Sequence, residues 1–312
     1  MQRERENGAY AAVVGGVNID IGGQSFQPLI LSDSNPGRVR TSPGGVGRNI
    51  AHNLCLLGLP VRLIAAFGED LYADIIRRSC REIGIDTDDA VTVPGESTST
   101  YLYLADHKGE MHLAVSDMEI CRFLTPDKLE EKLPLLRAAG ALVLDTNIPE
   151  ETVRWLSGQV DVPVFADPVS VSKAEKLRPV LPRLHALKPN KLEAELLSGV
   201  RIADEHDLNR AADALLETGL QQVYITMGKE GVLAADGRKR VRLSALPEVP
   251  VNTTGCGDAF MAALVWAQFR GLDVAESARA GLAAAAIAMA GRETVNPAMC
   301  EEMLLQKMKQ SQ

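Results

Sequence analysis

The chain has 312 residues, 46% of them hydrophobic, and a net charge of −8 from 33 Lys+Arg against 41 Asp+Glu. That length suits one large α/β domain or two small ones, and the acidic balance argues against a nucleic-acid duplex or an anionic membrane as main partner. The five cysteines, Cys55, Cys80, Cys121, Cys256 and Cys300, are far apart with no CxxC pair, which predicts a reduced cytoplasmic protein and not a disulfide scaffold or zinc site.

The first residues, Met1 to Asn7, have no apolar core, so no signal peptide is expected. Ala11 to Val17 is an apolar run ending in Asn18-Ile19-Asp20. It predicts a buried strand with polar groups at its carboxyl end. Residues 21–41 are broken by Gly22-Gly23 and by the turn Ser34-Asn35-Pro36-Gly37, which predicts short antiparallel strands. A Gly-rich element, Pro43-Gly44-Gly45-Val46-Gly47-Arg48-Asn49, then opens a helix with Val46, Ile50, Leu54 and Leu57 near one face and Gly58 at its end. A strand over Val61–Phe67 and a helix over about Leu71–Ile83 follow. Ser99–Ala105 and Glu110–Val115 alternate around Asp106-His107-Lys108-Gly109, which predicts a β-hairpin with His107 and His112 at the solvent.

Beyond residue 120 the rhythm is strand, helix, strand, helix. Four apolar runs end in polar groups: Ala141–Leu144 in Asp145 and Asn147, Pro163–Ala166 in Asp167, His185–Leu187 in Lys188 and Asn190, and Gln222–Ile225 in Thr226 and Gly228. Continuous apolar strands alternating with helices predict a parallel sheet covered on both faces. In such sheets the ligand cleft lies at the carboxyl ends of the strands, where these groups would converge. The apolar run Ala280–Ala290 is about half the length of a membrane span and predicts a packed helix. One main domain over 1–312 is expected, with a small β-sheet contributed by about 20–42 and 97–117.

Asn252-Thr253-Thr254-Gly255-Cys256-Gly257-Asp258 precedes an uncharged helical stretch, Ala259 to Gln268. A glycine turn feeding a buried helix presents unpaired N–H groups and a partial positive charge, which suits a phosphate. Asp258 then has two readings. It is a dipole-matched cap, or it takes a proton or holds a metal beside the phosphate. The usual GxxxxGK[ST] loop is absent, because Gly228-Lys229 runs into Glu230 and Gly47 into Arg48. No GxGxxG follows the first strand, and the protein-kinase signatures are missing too.

The run Gly44-Gly45-Val46-Gly47-Arg48-Asn49-Ile50-Ala51, with Gly58 and Gly68 beyond it, and the run Asn252 to Asp258 resemble the two signatures of the ribokinase-like (PfkB-type) carbohydrate kinases. The resemblance covers nearly the whole chain. It implies a three-layer α/β sandwich with a central, mostly parallel sheet and a small β-sheet lid, and an ATP-dependent kinase that uses Mg²⁺. By position, Asp258 resembles the catalytic base, and Gly255, Cys256 and Gly257 resemble the anion hole. Asp20, Gly44, Gly45 and Asn49 resemble sugar-binding residues, and Arg48 and Asn147 are placed beside them. Lys188, Asn190, Thr226, Gly228 and Gly231 resemble the nucleotide side, with Glu193 holding Mg²⁺ through water. Two positions depart from the family pattern. Cys256 replaces a small residue, and Asn252 replaces an aspartate tied to a monovalent-cation site, which puts a potassium requirement in question.

Asp33-Ser34-Asn35-Pro36-Gly37, Val93-Pro94-Gly95-Glu96 and Ser116-Asp117-Met118 further resemble the branch of that family acting on the 5′-hydroxyl of pseudouridine. Asp33 and Asn35 are then expected to contact the base. Other nucleosides, furanose sugars, and a catalytically silent sugar-binding protein are the rival expectations. Pairing of two chains through the lid is expected. With a first strand near residue 11, an added N-terminal DNA-binding helix pair is not expected.

Overall fold

The computed structural model describes residues 10–311, so the expectation for the first seven residues lies outside the described part. In chain order the strands are β1 (Ala11–Val14), β2 (Asn18–Ser25), β3 (Gly37–Gly44), β4 (Val61–Ile64), β5 (Ala66–Phe67), β6 (Ile85–Asp86), β7 (Val91–Thr92), β8 (Thr100–Ala105), β9 (Met111–Asp117), β10 (Ala141–Asp145), β11 (Val164–Asp167), β12 (Ala186–Leu187), β13 (Gln222–Thr226), β14 (Val232–Asp236) and β15 (Arg240–Leu243). Nine of them form the central sheet, in the order β15-β14-β13-β12-β11-β10-β1-β4-β6. It is parallel from β6 to β13 and antiparallel at β14 and β15.

Alternation along these strands builds three layers. Ala12, Val14, Leu142, Leu144, Val164 and Ala166 face one core, packed with Leu156, Leu177 and Leu208 from helices on that side. Ala11, Val13, Ala141, Val143 and Phe165 face the other, against Ile50, Leu54, Ile76, Phe260 and Leu264. Every β1 residue is fully buried, which is why it reads as a continuous apolar run. The helix Cys256–Phe269 has nine consecutive buried residues, Ala259 to Ala267, and packs on Val274–Met289. Gly281 of that second helix receives the Phe260 ring where a Cβ would stand. No helix among the described residues is long and apolar enough to cross a membrane.

A second, four-stranded sheet has the order β3-β2-β8-β9. The strand expected over Ala11–Val17 therefore ends early. Gly15-Gly16 lets the backbone turn, Gly16 N–H donates to Asp145 Oδ2 at 2.7 Å, and Asn18 opens β2 in the second sheet. Asp20 thus stands on the second sheet and not at a carboxyl end of the central one. The run Val61–Phe67 is likewise divided: β4 stays in the central sheet while β5 pairs with β7. Within and beside residues 21–41, β2 and β3 pair antiparallel over eight positions, from Asn18↔Gly44 to Ser25↔Gly37, longer than the short strands expected.

Candidate active site

The site is built around the first turn of the helix Cys256–Phe269. Gly255 caps it with φ 84°, a left-handed conformation that favours glycine, and any Cβ there would strike the Thr294 carbonyl oxygen. The loop before it is tied by Asn252, whose Oδ1 accepts from Thr254 N–H at 2.9 Å and whose Nδ2 donates to the Arg292 carbonyl at 3.2 Å. The first-turn N–H groups have no intrahelical acceptor. Gly257 leaves this turn open, and the nearest group to its absent Cβ is Lys188 Nζ at 3.3 Å.

Asp258 sits in that turn, half-buried, with Oδ2 accepting from Asn49 Nδ2 at 2.9 Å. Burial, and the charge of Asp167 beside it, push its carboxyl up to about 7, against the opposing pull of Asn49 and Lys188. An acid poised there can accept a proton near neutral pH. Asn49 is delivered by the other Gly-rich element. Gly45, at φ 101°, caps the helix Val46–Leu56, and a Cβ on it would lie 2.5 Å from the Gly16 carbonyl oxygen. The backbone passes so close that the first helical turn is pressed onto the end of β1. Asn49 Oδ1 is buried without a partner among the described residues. A buried acceptor left unpaired is costly, so this oxygen awaits a donor such as a hydroxyl.

Lys188 and Asp167, at the ends of β12 and β11, form a buried ion pair at 3.2 Å. Burial alone would lower the lysine, but the charges of Asp167 and Glu193 outweigh it and hold the ammonium protonated. Asn190 and Glu193 cap the helix Lys191–Ser198 reciprocally: Asn190 Oδ1 accepts from Glu193 N–H at 3.0 Å, and Glu193 Oε2 accepts from Asn190 N–H at 2.8 Å. Thr226 joins this segment through a parallel bridge to Asn190, and its N–H donates to the Pro189 carbonyl at 2.9 Å. Gly228, at φ 55°, and Gly231, at φ 90°, shape the turn from β13 to β14, and Gly231 has no room for a Cβ beside the Leu243 carbonyl.

Asp20 lies against Gly44, which leaves its carboxylate the space of a side chain, and accepts from Asn18 Nδ2 at 2.7 Å. Burial raises its pKa above the ordinary value. Arg48 is 4% exposed, and its guanidinium donates to the Pro43 carbonyl at 3.1 Å and to Ser79 Oγ at 2.9 Å. It braces the end of β3 against the helix Leu71–Ile83. Asp33 and Asn35 spend their side chains locally. Asp33 Oδ1 accepts from Ser34 N–H at 2.7 Å, while Asn35 bonds both the N–H and the carbonyl of Ile30. The Cys256 thiol is pushed up to about 11 by burial and by Asp258, so it is no ready nucleophile.

Two further groups back the cleft. Asp145 is fully buried and braces the cleft, accepting from Gly16 N–H and, at 2.9 Å, from Asn147 N–H. Lys173 Nζ donates to Asn147 Oδ1 at 2.6 Å. No carboxylate pairs with it among the described residues, so its ammonium is held there by the neutral Asn147 amide. It follows a backbone outlier, Val169 at φ 62°. A β-branched residue in that region is strained, and such strain collects at functional sites. Lys173 was not read from the sequence, because a lone lysine in a polar stretch carries no signal.

Residues 9–299 match the model of the pfkB family carbohydrate kinases. The chain belongs to the PfkB family of carbohydrate kinases. It is 40% identical to the pseudouridine kinase of Escherichia coli over 290 residues, covering 92% of this chain and 93% of that one. It is 38% identical to an uncharacterized sugar kinase of the same strain, over 95% of this chain and 82% of that one. Among solved structures, a putative sugar kinase from Clostridium perfringens superposes with a TM-score of 0.86 at 30% identity, covering 96% of this chain and 95% of that one. The chain is thus an ATP-dependent sugar or nucleoside kinase with the ribokinase-like fold.

Proposed function

We propose that this kinase phosphorylates the 5′-hydroxyl of pseudouridine, with Asp258 as the catalytic base. The carrying observation is the pairing of Asp258 with Asn49 at an open helix N-terminus. A carboxyl raised to about 7 takes the hydroxyl proton as the oxygen attacks. The Gly255–Gly257 turn and Lys188 meet the charge on the transferring phosphoryl group. Asn49 Oδ1 and Asp20 hold sugar hydroxyls, with Gly44 leaving room for Asp20 and Gly45 letting the Asn49 helix start against the end of β1. Asn147 and Arg48 keep the neighbouring wall in place, and Asp33 and Asn35 lie on the rim of the second sheet.

Asn190, Thr226, Gly228 and Gly231 line the side that takes ATP. The oxygen donors there, Glu193 above all, suit a hard cation held through water. Mg²⁺ supplies charge neutralisation on the phosphates when bound. Asn252 places an amide donor, not a carboxylate, against the Arg292 carbonyl, which keeps a potassium requirement in question. The second sheet acts as a lid that excludes water on closing. Its outer face is apolar and open, with Leu113 59%, Val115 57% and Val39 70% exposed, which supports pairing with a second copy. The five free cysteines support a cytoplasmic setting.

ADP release from Mg-ATP tests the reading against pseudouridine, uridine, adenosine, ribose and fructose 6-phosphate. The expected result is a kcat/KM for pseudouridine at least tenfold above uridine, about 1.4 kcal/mol. Turnover of a different sugar or nucleoside, as the likeness to an uncharacterized sugar kinase allows, overturns the substrate and keeps the chemistry. Silence on all five overturns both.

A further inference from the structure

We propose that Tyr101 and Tyr103 form an aromatic platform on the lid that receives the nucleobase and so selects nucleosides over free sugars. The inference rests on the nucleoside-kinase reading above and names the part of the site that would recognise the base.

β2 and β8 are parallel neighbours in the register Asp20↔Tyr101 and Gly22↔Tyr103. Side chains paired this way share a face of the sheet. The two tyrosines therefore continue outward from Asp20 on the surface that Gly44 opens beside the Gly45–Asn49 turn. Ser42 and Arg40 pair with Asp20 and Gly22 across β3, so they share this face as well. The opposite face carries Leu102, Leu104, Leu113 and Val115 and is apolar. The aromatic residues of the lid are thus segregated to the side that holds the sugar-binding carboxylate.

The ring of Tyr103 lies across β2. A Cβ on Gly22 would strike its Cζ and hydroxyl, so the missing side chain at 22 is what lets the ring lie flat on the sheet. Tyr101 and Tyr103 have ring centroids 6.1 Å apart at 38°. Both rings are half-buried, neither being enclosed. The Tyr101 hydroxyl makes only a weak contact with Met111 Sδ at 3.7 Å, and the Tyr103 hydroxyl donates to no acceptor among the described residues. Two flat rings with spare hydroxyls beside a sugar-binding carboxylate offer a planar heterocycle both a stacking surface and polar edges. A ribose held at Asp20 and Asn49, with its 5′-oxygen at Asp258, has its C1 substituent directed away from Asp258. On this lid that direction leads over the tyrosines.

Steady-state kinetics with pseudouridine and with ribose test the platform in Tyr101→Leu, Tyr103→Leu and Gly22→Val. The last variant fills the slot under the Tyr103 ring while favouring the strand. The expected result is a rise in KM for pseudouridine of roughly ten- to hundredfold, the range of one base–aromatic stack. Saturated kcat should stay within about twofold and the kinetics on ribose should be unmoved, as for loss of uniform binding. Tyr101→Phe and Tyr103→Phe should restore most of the affinity. Unchanged KM in all three variants overturns the platform, as does an equal loss on pseudouridine and ribose, which marks a structural role. A wild-type protein inactive on pseudouridine but active on uridine or adenosine sinks only the substrate assignment, and the same variants are then compared on that nucleoside. Wild-type activity on sugars alone overturns platform and substrate together.

Discussion

The helix N-terminus at Asp258 and the second sheet are built in opposite ways. Around Asp258 the backbone is fixed by glycines that cannot be replaced, Gly45 against Gly16 and Gly255 against Thr294. The side chains there are committed to one another: Asn49 to Asp258, Lys188 to Asp167, Asn190 to Glu193. The second sheet is regular and long-stranded, but much of its side-chain surface is uncommitted, with both tyrosines half-open on one face and the leucines exposed on the other. The difference teaches where each part of the function resides. Phosphoryl transfer needs groups held in place before substrate arrives. Substrate choice can reside on a surface completed only when substrate and lid meet.

The first way to break this contrast is Asp258→Asn. It should lower kcat by about 10²- to 10⁴-fold, the usual contribution of a general base, with pseudouridine binding by calorimetry largely kept. Near-normal kcat would remove Asp258 from the chemistry. Next comes Gly255→Ala, which forces a left-handed φ and a clash with the Thr294 carbonyl. A loss of about 1 kcal/mol or more should lower Tm by a few degrees and reduce kcat, whereas Gly237→Ala, at an open position, should do neither.

Asn49→Ala removes a bond that lowers the Asp258 pKa, so the acid limb of kcat/KM should move to higher pH, and KM for the sugar should rise. A loss of activity with no shift of the limb would leave Asn49 a sugar ligand only. The same raised carboxyl also bears on stability. Asp258 is raised from 3.8 to about 7 in the folded chain, so between these values the folded state holds a proton that the unfolded state has lost. Stability therefore falls as pH rises through that window. The Tm advantage of Asp258→Asn over wild type should be near zero at pH 4 and grow to a plateau above about pH 7, read by thermal scanning in a series of buffers.

The same contrast explains what could be read from the sequence. The central sheet and its row of polar strand ends were legible because fully buried strands such as Ala141–Leu144 leave a continuous apolar signature. The cradle was legible because Gly44–Asn49 and Asn252–Asp258 concentrate glycines that only special backbone geometry requires. The division of Ala11–Asp20 between two sheets was not legible. Asn18, Ile19 and Asp20 read as the polar end of the same strand, and only the Gly16–Asp145 bond reveals the turn. Arg48 was placed beside the sugar-binding residues by its position in a Gly-rich motif, yet its bonds go to Pro43 and Ser79. Such pairings depend on contacts between residues far apart in the chain. Tyr101 and Tyr103 passed as ordinary strand residues, because their meaning comes from register with Asp20 and Gly22.

The most direct test of Asp258 as the base is the pH dependence of kcat/KM for phosphorylation of pseudouridine from pH 5 to 9, at saturating Mg-ATP. The account predicts that activity falls tenfold per pH unit below an apparent pKa of about 7, where Asp258 becomes protonated, and levels off above it. A profile flat down to pH 5 would contradict it, because a carboxyl already ionised there is not the raised acid that this site contains.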